Sequence, residues 1–267
     1  MLAFNHLGNL GRLGNQMFQY ASLRGIAANR GYDFCIPQSN FKDEWSDHQL
    51  FEVFEMVHLP KQNIGMLDMG HAPLAKERSF GFDELLFNQC PNDVSLWGFY
   101  QSEKYFKNID SSIREDFTFK EEIRTPCHEV ASQWNNPISL HVRRTDYLNN
   151  SANHYNLQMD YYENAIKKFD SDRDVVIFSD DPEWCMSQEL FETDRFIVSE
   201  SEDNSIDLCL MSMCNSHIIA NSSFSWWGAW LSGSDDVIAP QKWFGPNNQD
   251  KSTRDLIPER WTLLDSN

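Results

Sequence analysis

No stretch of this 267-residue chain approaches the roughly 18 consecutive apolar residues that a membrane-spanning helix needs. Met1–Leu7 makes no export signal either, being too short and interrupted by Asn5 and His6. These two absences lead us to expect a soluble protein of the cytoplasm. Cationic charge is scarce too, with 22 Lys and Arg against 40 Asp and Glu and a formal net charge of −18. That balance excludes nucleic acid and anionic membrane as main partners, since nothing draws their phosphates in. It also makes clustered arginines informative, because any bound phosphate must be met by a few local cations.

Metal-type cysteine spacing is missing as well. Cys35, Cys90, Cys127, Cys185, Cys209 and Cys214 form no CxxC pair, and several lie in apolar runs, so we read them as free core thiols. Asn149-Asn150-Ser151 and Asn221-Ser222-Ser223 match the glycosylation acceptor pattern, but without an export signal the match is chance. No repeat or low-complexity tract occurs. What is present is apolar: 41% of residues, including 19 Phe and 9 Trp, which fills real cores and excludes disorder.

The second half carries the clearest pattern. Short β-branched runs at Pro137–Val142, Asp174–Asp180, Arg195–Glu200, His217–Ser222 and Asp236–Pro240 alternate with helical segments at Met159–Phe169, Pro182–Leu190, Ser205–Cys214 and Phe224–Leu231. Such alternation predicts a parallel sheet wrapped by helices. The first half starts alike, with a strand in LAFNHL, a helix over Asn15–Arg30 stopped by Gly31, and a strand in YDFCIP. SLWGFYQ reads as a further strand, followed by a helix from about Ser102. The polar, proline-containing stretch around Phe119–Asn136 predicts the junction between two α/β domains, 1–130 and 131–267, facing across a cleft.

Three polar clusters follow strands of the second half: HVRRTDY (His141–Tyr147), SDDPEW (Ser179–Trp184) and NSSFSWW (Asn221–Trp227). Ligands of open parallel sheets bind outside the carboxyl ends of the strands, so the three clusters mark one edge. Arg143 and Arg144 are either a fork for phosphate or a structural ion pair with Asp146 or another carboxylate. Strand alternation would point them apart, leaving one, Arg143, in step with His141. Ser222, Ser223 and Ser225 open a helix, where hydroxyls and free amides favour an anion, or where Ser223 simply caps. Asp180 and Asp181 precede Pro182 and allow three readings: a helix cap, recognition of a guanine edge, or a Mg²⁺ or Mn²⁺ site. Trp226, Trp227 and Trp230 read as core before sugar platform. Near the N-terminus, LGRLGNQMFQYA places Gly11, Arg12, Gly14, Asn15 and Gln16 at a helix entrance, a turn that can meet an anion or merely start the helix.

Taken together, GRLGNQMFQYA, WGFYQSEKYF, HVRRTDY, FSDDPEW, DLCLMSMC, NSSFSWWGAW and APQKWF resemble the α-1,2-fucosyltransferases of glycosyltransferase family 11 nearly from end to end. Thr145 stands where that family more often has glycine. The resemblance implies a GT-B-like fold of two Rossmann-like domains, the first binding acceptor and the second GDP-fucose. It implies inverting transfer of L-fucose to O2 of a terminal galactose of a β-galactoside glycan, without metal or cofactor, in O-antigen or membrane-glycan biosynthesis. It further implies that Arg143, beside Arg144, holds the diphosphate and that His141 with Asp180 or Asp181 holds the guanosine. Ser222, Ser223 and Ser225 would line the phosphate, and Asn15, in a loop with Arg12, Gly14 and Gln16, would face fucose or the acceptor hydroxyl. Asp146 is either the general base or the group that orients Arg143. Two rivals stay open at this point: a metal-dependent transferase built on Asp180 and Asp181, and a carbohydrate-binding protein without turnover.

Overall fold

The computed structural model describes residues 1–38 and 48–266, which divide into two compact units. The first unit comprises Met1–Lys120 with Ser252–Pro258. Its elements are β1 (Leu2–Ala3), α1 (Leu13–Arg30), β2 (Phe34–Cys35), α2 (Leu50–Val53), β3 (Leu74–Lys76), α3 (Glu84–Gln89), β4 (Val94–Trp97) and α4 (Asp110–Asp116). The four strands are parallel in the order β2-β1-β4-β3. Helix α1 ends as its sequence demands, with Gly31 in the left-handed region at φ 67° and its N–H on the carbonyls of Ala27 and Ala28. Its Gly25 lies so close to the Tyr105 carbonyl that a side chain there would collide. Where a helix from Ser102 was expected, the chain makes two 3₁₀ turns, Glu103–Tyr105 and Lys107–Ile109, before α4.

The second unit comprises Glu121–Lys251 and the chain from Glu259 onward. It contains α5 (Glu121–Ala131), β5 (Ile138–Val142), α6 (Thr145–Asn149), α7 (Met159–Ile166), β6 (Val175–Ser179), α8 (Pro182–Met186), β7 (Phe196–Val198), α9 (Asn204–Ser212), β8 (Ser216–Ile218), α10 (Ser223–Ser232), β9 (Val237–Pro240) and β10 (Thr262–Leu264). All six strands run parallel in the order β10-β9-β8-β5-β6-β7, the doubly wound arrangement of dinucleotide-binding folds. β5 is buried along its whole length, as a sheet covered on both faces requires. Around it pack Val175 and Ile177 of β6, Tyr161, Tyr162 and Ala165 of α7, and Ile238 of β9.

The boundary between the units falls at 120/121, inside the Phe119–Asn136 stretch read from the sequence and ten residues before its 130/131 bound. The polar stretch after Phe119 is helix α5, whose Ile123 and Cys127 are buried, the Cys127 thiol lying 3.8 Å from the Ile206 carbonyl of α9. Hydrophobic spacing within a mostly polar sequence therefore binds this segment to the second unit. Late in the chain, Ser252–Pro258 returns to the first unit. There the buried Asp255 accepts from Lys104 Nζ at 2.7 Å and from the Phe82 N–H at 3.2 Å.

Candidate functional site

In the second unit the chain leaves β5 to build β6 and β7 on one side, then returns to build β8, β9 and β10 on the other. The loops after β5 and β8 therefore diverge at the point where winding reverses, which is where open α/β sheets bind ligands. His141, the fourth residue of β5, has its Nδ1 2.9 Å from the Ser225 hydroxyl in the first turn of α10, so one contact spans that point. Burial, with Arg143 adding to it, pushes the His141 pKa down to about 3, so the ring is neutral. Tyr147 braces the same two loops by donating its hydroxyl to the Asn221 carbonyl at 2.9 Å.

The cap of α10 is Ser222, whose hydroxyl accepts from the Phe224 N–H, and not Ser223, which is the half-buried first residue of the helix. The boundary falls one residue earlier than expected because Ser222 keeps extended backbone angles. Ser225 is buried and committed to His141. Trp226, Trp227 and Trp230 of the same helix are wholly enclosed and pack ring against ring, mostly edge-on, with Trp226 also against Trp261. They are core, and no sugar can reach them. Gly228 lets α10 approach α9, since a Cβ there would stand 2.7 Å from Met211 Cβ.

Both arginines lie beyond the last residue of β5, so strand alternation does not separate them; each has its own carboxylate. Arg143 donates to Asp146 at 2.6 Å and lies 3.5 Å from Asp180, with its guanidinium 5.8 Å from the Tyr147 ring centre. Burial works against its charge, but Asp146 and Asp180 outweigh burial and its pKa is raised. Arg144 pairs with Asp181 at 3.1 Å and lies over the Trp184 ring at 4.3 Å. Asp146, half exposed, accepts from Arg143 and so holds its guanidinium in place.

The two aspartates are engaged within the chain. Asp181 caps α8 by accepting from the Trp184 N–H at 3.2 Å, as Pro182 at the next position foreshadowed. Asp180 accepts from the backbone N–H groups of Arg144 and Thr145 and from the Thr145 hydroxyl. A glycine at 145 would lack that third donor. Among the described residues no three His, Cys, Asp or Glu side chains converge in a way that could hold a metal ion. All six cysteines are buried free thiols.

Sequence reasoning missed Asp207. It lies in α9, buried, and accepts from the Ser199 hydroxyl at 2.7 Å just past the carboxyl end of β7. Burial raises its pKa to about 6. The available signal was a lone acid in the apolar run of DLCLMSMC.

In the first unit the turn before α1 is built around Asn15. Gly11 has φ +86°, and a Cβ on it would fall 1.8 Å from Asn15 Nδ2, so only glycine fits. Gln101, beyond β4, donates to Asn15 Oδ1 from the other side. Gln16 is structural: buried, it accepts from the Gln49 N–H at 2.9 Å. Gly14 is buried, and Arg12 is exposed as the cap residue of α1, with no side-chain capping bond.

This fold and edge define a class. The fold is GT-B-like, and solved fucosyltransferase structures share it. The Bradyrhizobium fucosyltransferase NodZ aligns at TM-score 0.52 and 14% identity over 85% of this chain and 91% of its own. A POFUT1 complex with GDP aligns at TM-score 0.57 and 13% identity over 87% and 94%. The chain belongs to glycosyltransferase family 11, whose model, described as Glycosyl transferase family 11, matches residues 3–264. Its relatives include the Escherichia coli O-antigen biosynthesis glycosyltransferase WbnK, 31% identical over 92% of this chain and 96% of that protein. An Escherichia coli alpha-1,2-colitosyltransferase is 32% identical over 96% and 97%. The Bos taurus galactoside alpha-(1,2)-fucosyltransferase 1 is 27% identical over 85% of this chain and 66% of that protein.

Proposed function

We propose that this chain transfers L-fucose from GDP-β-L-fucose to the 2-OH of a terminal galactose, with inversion and without a metal. The observation that carries this reading is the assembly of His141, Arg143 and the α10 N-terminus around the β5–β8 reversal. As the C1–O bond of fucose lengthens, the sugar gains oxocarbenium character and the diphosphate gains negative charge. Arg143, kept cationic and aimed by Asp146 and Asp180, takes that charge together with the first amides of α10. Such preorganised charge costs no rearrangement when the bond breaks, so it acts on the transition state. Asp180 and Asp181 serve by shaping the arginine loop, and Arg144, Ser222 and Ser223 complete the phosphate side. On the base side we assign His141, as a neutral ring, and the carboxylate of Asp207. Asn15, on the first unit, is assigned to the fucose or the acceptor hydroxyl.

The test is incubation with GDP-fucose and a terminal β-galactoside, followed by linkage and anomer analysis of the product. An α-1,2-linked fucoside formed equally well in excess EDTA is expected. Loss of transfer in EDTA with recovery on Mn²⁺ overturns the metal-free mechanism. GDP release without a fucosylated product overturns the acceptor assignment, and neither GDP nor product with any sugar nucleotide favours a binding protein. The similarity to an alpha-1,2-colitosyltransferase favours a second donor reading, in which the sugar lacks the 3-OH of fucose. GDP-colitose run beside GDP-fucose decides between them by the ratio of kcat/KM.

A further inference from the structure

The first unit has a winding reversal of its own. From β1 the chain builds β2 on one side, and β4 later pairs on the other, so the loops after β1 and β4 diverge there. Two side chains straddle the reversal: His6, three residues past β1, and Trp97, the last residue of β4. Their rings meet edge-on, with centres 5.0 Å apart and planes at 77°. Both are partly exposed, whereas the other aromatic residue types of the unit's centre, such as Phe4, Phe18, Tyr20 and Tyr100, are enclosed.

The surroundings of this pair are braced by buried polar groups. Asn5, beside His6, exchanges two hydrogen bonds with the Leu67 backbone, at 3.0 and 2.9 Å. Gln19 of α1, fully buried, donates to the carbonyls of Leu10 and Gly98 and so ties the β1 loop to the β4 loop. The Glu77 carboxylate accepts from the N–H groups of Phe99 and Tyr100 at 2.9 and 3.0 Å. The backbone here is strained. Tyr100 has φ 52°, and in the loop clamped by Asn5, Asp68 has φ 50° and Met69 φ 47°. Left-handed non-glycine residues are strained and persist where the surroundings over-determine them, which is commonest at binding sites. A rigid aromatic face with a polar ring beside it suits a ligand whose surface alternates C–H patches and hydroxyls, as a pyranose does.

We infer that Trp97 is the platform for the acceptor's terminal galactoside, with His6 as the polar group beside it that meets a sugar hydroxyl. This rests on the transferase reading for the identity of the sugar, and on the first unit alone for its place. The experiment uses the full chain and two readouts. Saturation-transfer NMR of methyl β-D-galactoside, without donor, reads the platform directly; kinetics with GDP-fucose read the KM of each substrate. Trp97→Ala should abolish saturation of the sugar protons and raise the acceptor KM at least tenfold, leaving the GDP-fucose KM within twofold of wild type. Trp97→Phe, which keeps an aromatic face and guards against misfolding, should restore part of both. His6→Gln should raise the acceptor KM less than Trp97→Ala. Saturation that is equal in wild type and Trp97→Ala, or absent from both, overturns the inference, as does an unchanged acceptor KM in both Trp97 variants. A failure of the donor reading shows separately, as loss of GDP-fucose dependence with galactoside saturation intact.

Discussion

The two sheets solve one problem in different ways. In the second unit the carboxyl edge is charged: two arginines, three aspartates and a helix start surround the β5–β8 reversal, and each cation is held by a carboxylate. In the first unit the corresponding edge at β1–β4 is braced mainly by amides, with Asn5, Gln19 and Asn15–Gln101 carrying the bonds beside the single carboxylate of Glu77. Charge on one edge suits a nucleotide diphosphate, and amides with a partly exposed tryptophan suit a neutral sugar.

The largest expected break in that contrast is Arg143→Ala. Removing a charge aimed at the departing diphosphate should lower kcat/KM by about 10³-fold, a scale taken from loss of transition-state charge stabilisation, and Arg143→Lys should recover only part because lysine lacks the fork. A steady-state assay checks it, with retained circular dichroism showing that the fold survives. Next comes Gly11→Ala on the amide-braced edge. Its Cβ must push Asn15 aside, and a misplacement of about 1 Å can cost roughly 10²-fold in rate. Asn15→Ala should lose about as much and, by leaving the buried Gln101 amide without its acceptor, should also lower thermal stability.

Acid sharpens the comparison through stability. His141 and His217 are both enclosed in the second unit and held near pKa 3, chiefly by burial. Between about 6.5 and 3 the unfolded chain binds protons that the folded chain refuses, so stability falls as pH drops. Asp207, raised to about 6, acts oppositely: the folded protein takes up its proton first, adding stability as pH falls from 6 toward the ordinary carboxylate range. His6 and His154, whose pKa values burial also lowers, act with His141 and His217 against the one aspartate, so the balance is a loss of stability as pH falls below about 6.5. Urea midpoints at pH 7 and pH 5 read this loss, and His217→Gln should shrink it. The smallest effect is Ser222→Ala, which removes the α10 cap and should lower stability by about 1 kcal/mol in the same assay.

Legibility followed the same divide. The strands of the second unit announce themselves because runs such as Val175–Phe178 are buried on both faces and carry no polar interruption. The three clusters then fall at strand ends by counting alone. The cap at Ser222 instead of Ser223 is a one-residue shift that depends on backbone angles. The role of Asp180 was hidden because its partners, the backbone N–H groups of residues 144 and 145, lie 35 or more positions away, whereas Pro182 signals the cap that Asp181 supplies. In the first unit, strands of two to four residues leave little pattern, and the turns that shape the edge use Tyr100 and Asp68 in left-handed conformations that no residue type advertises. Asn5 and Gln19 look like surface residues in sequence, yet they are enclosed because they replace backbone pairing between loops.

The central claim, that the β5–β8 reversal holds the departing nucleotide through Arg143, is tested most directly by titrating GDP calorimetrically into wild-type protein and the Arg143→Ala variant, without acceptor. The account predicts binding of GDP by the wild type and a dissociation constant about ten- to hundredfold weaker in the variant, the range for losing one charged hydrogen-bonding group. Equal dissociation constants in the two proteins would contradict it.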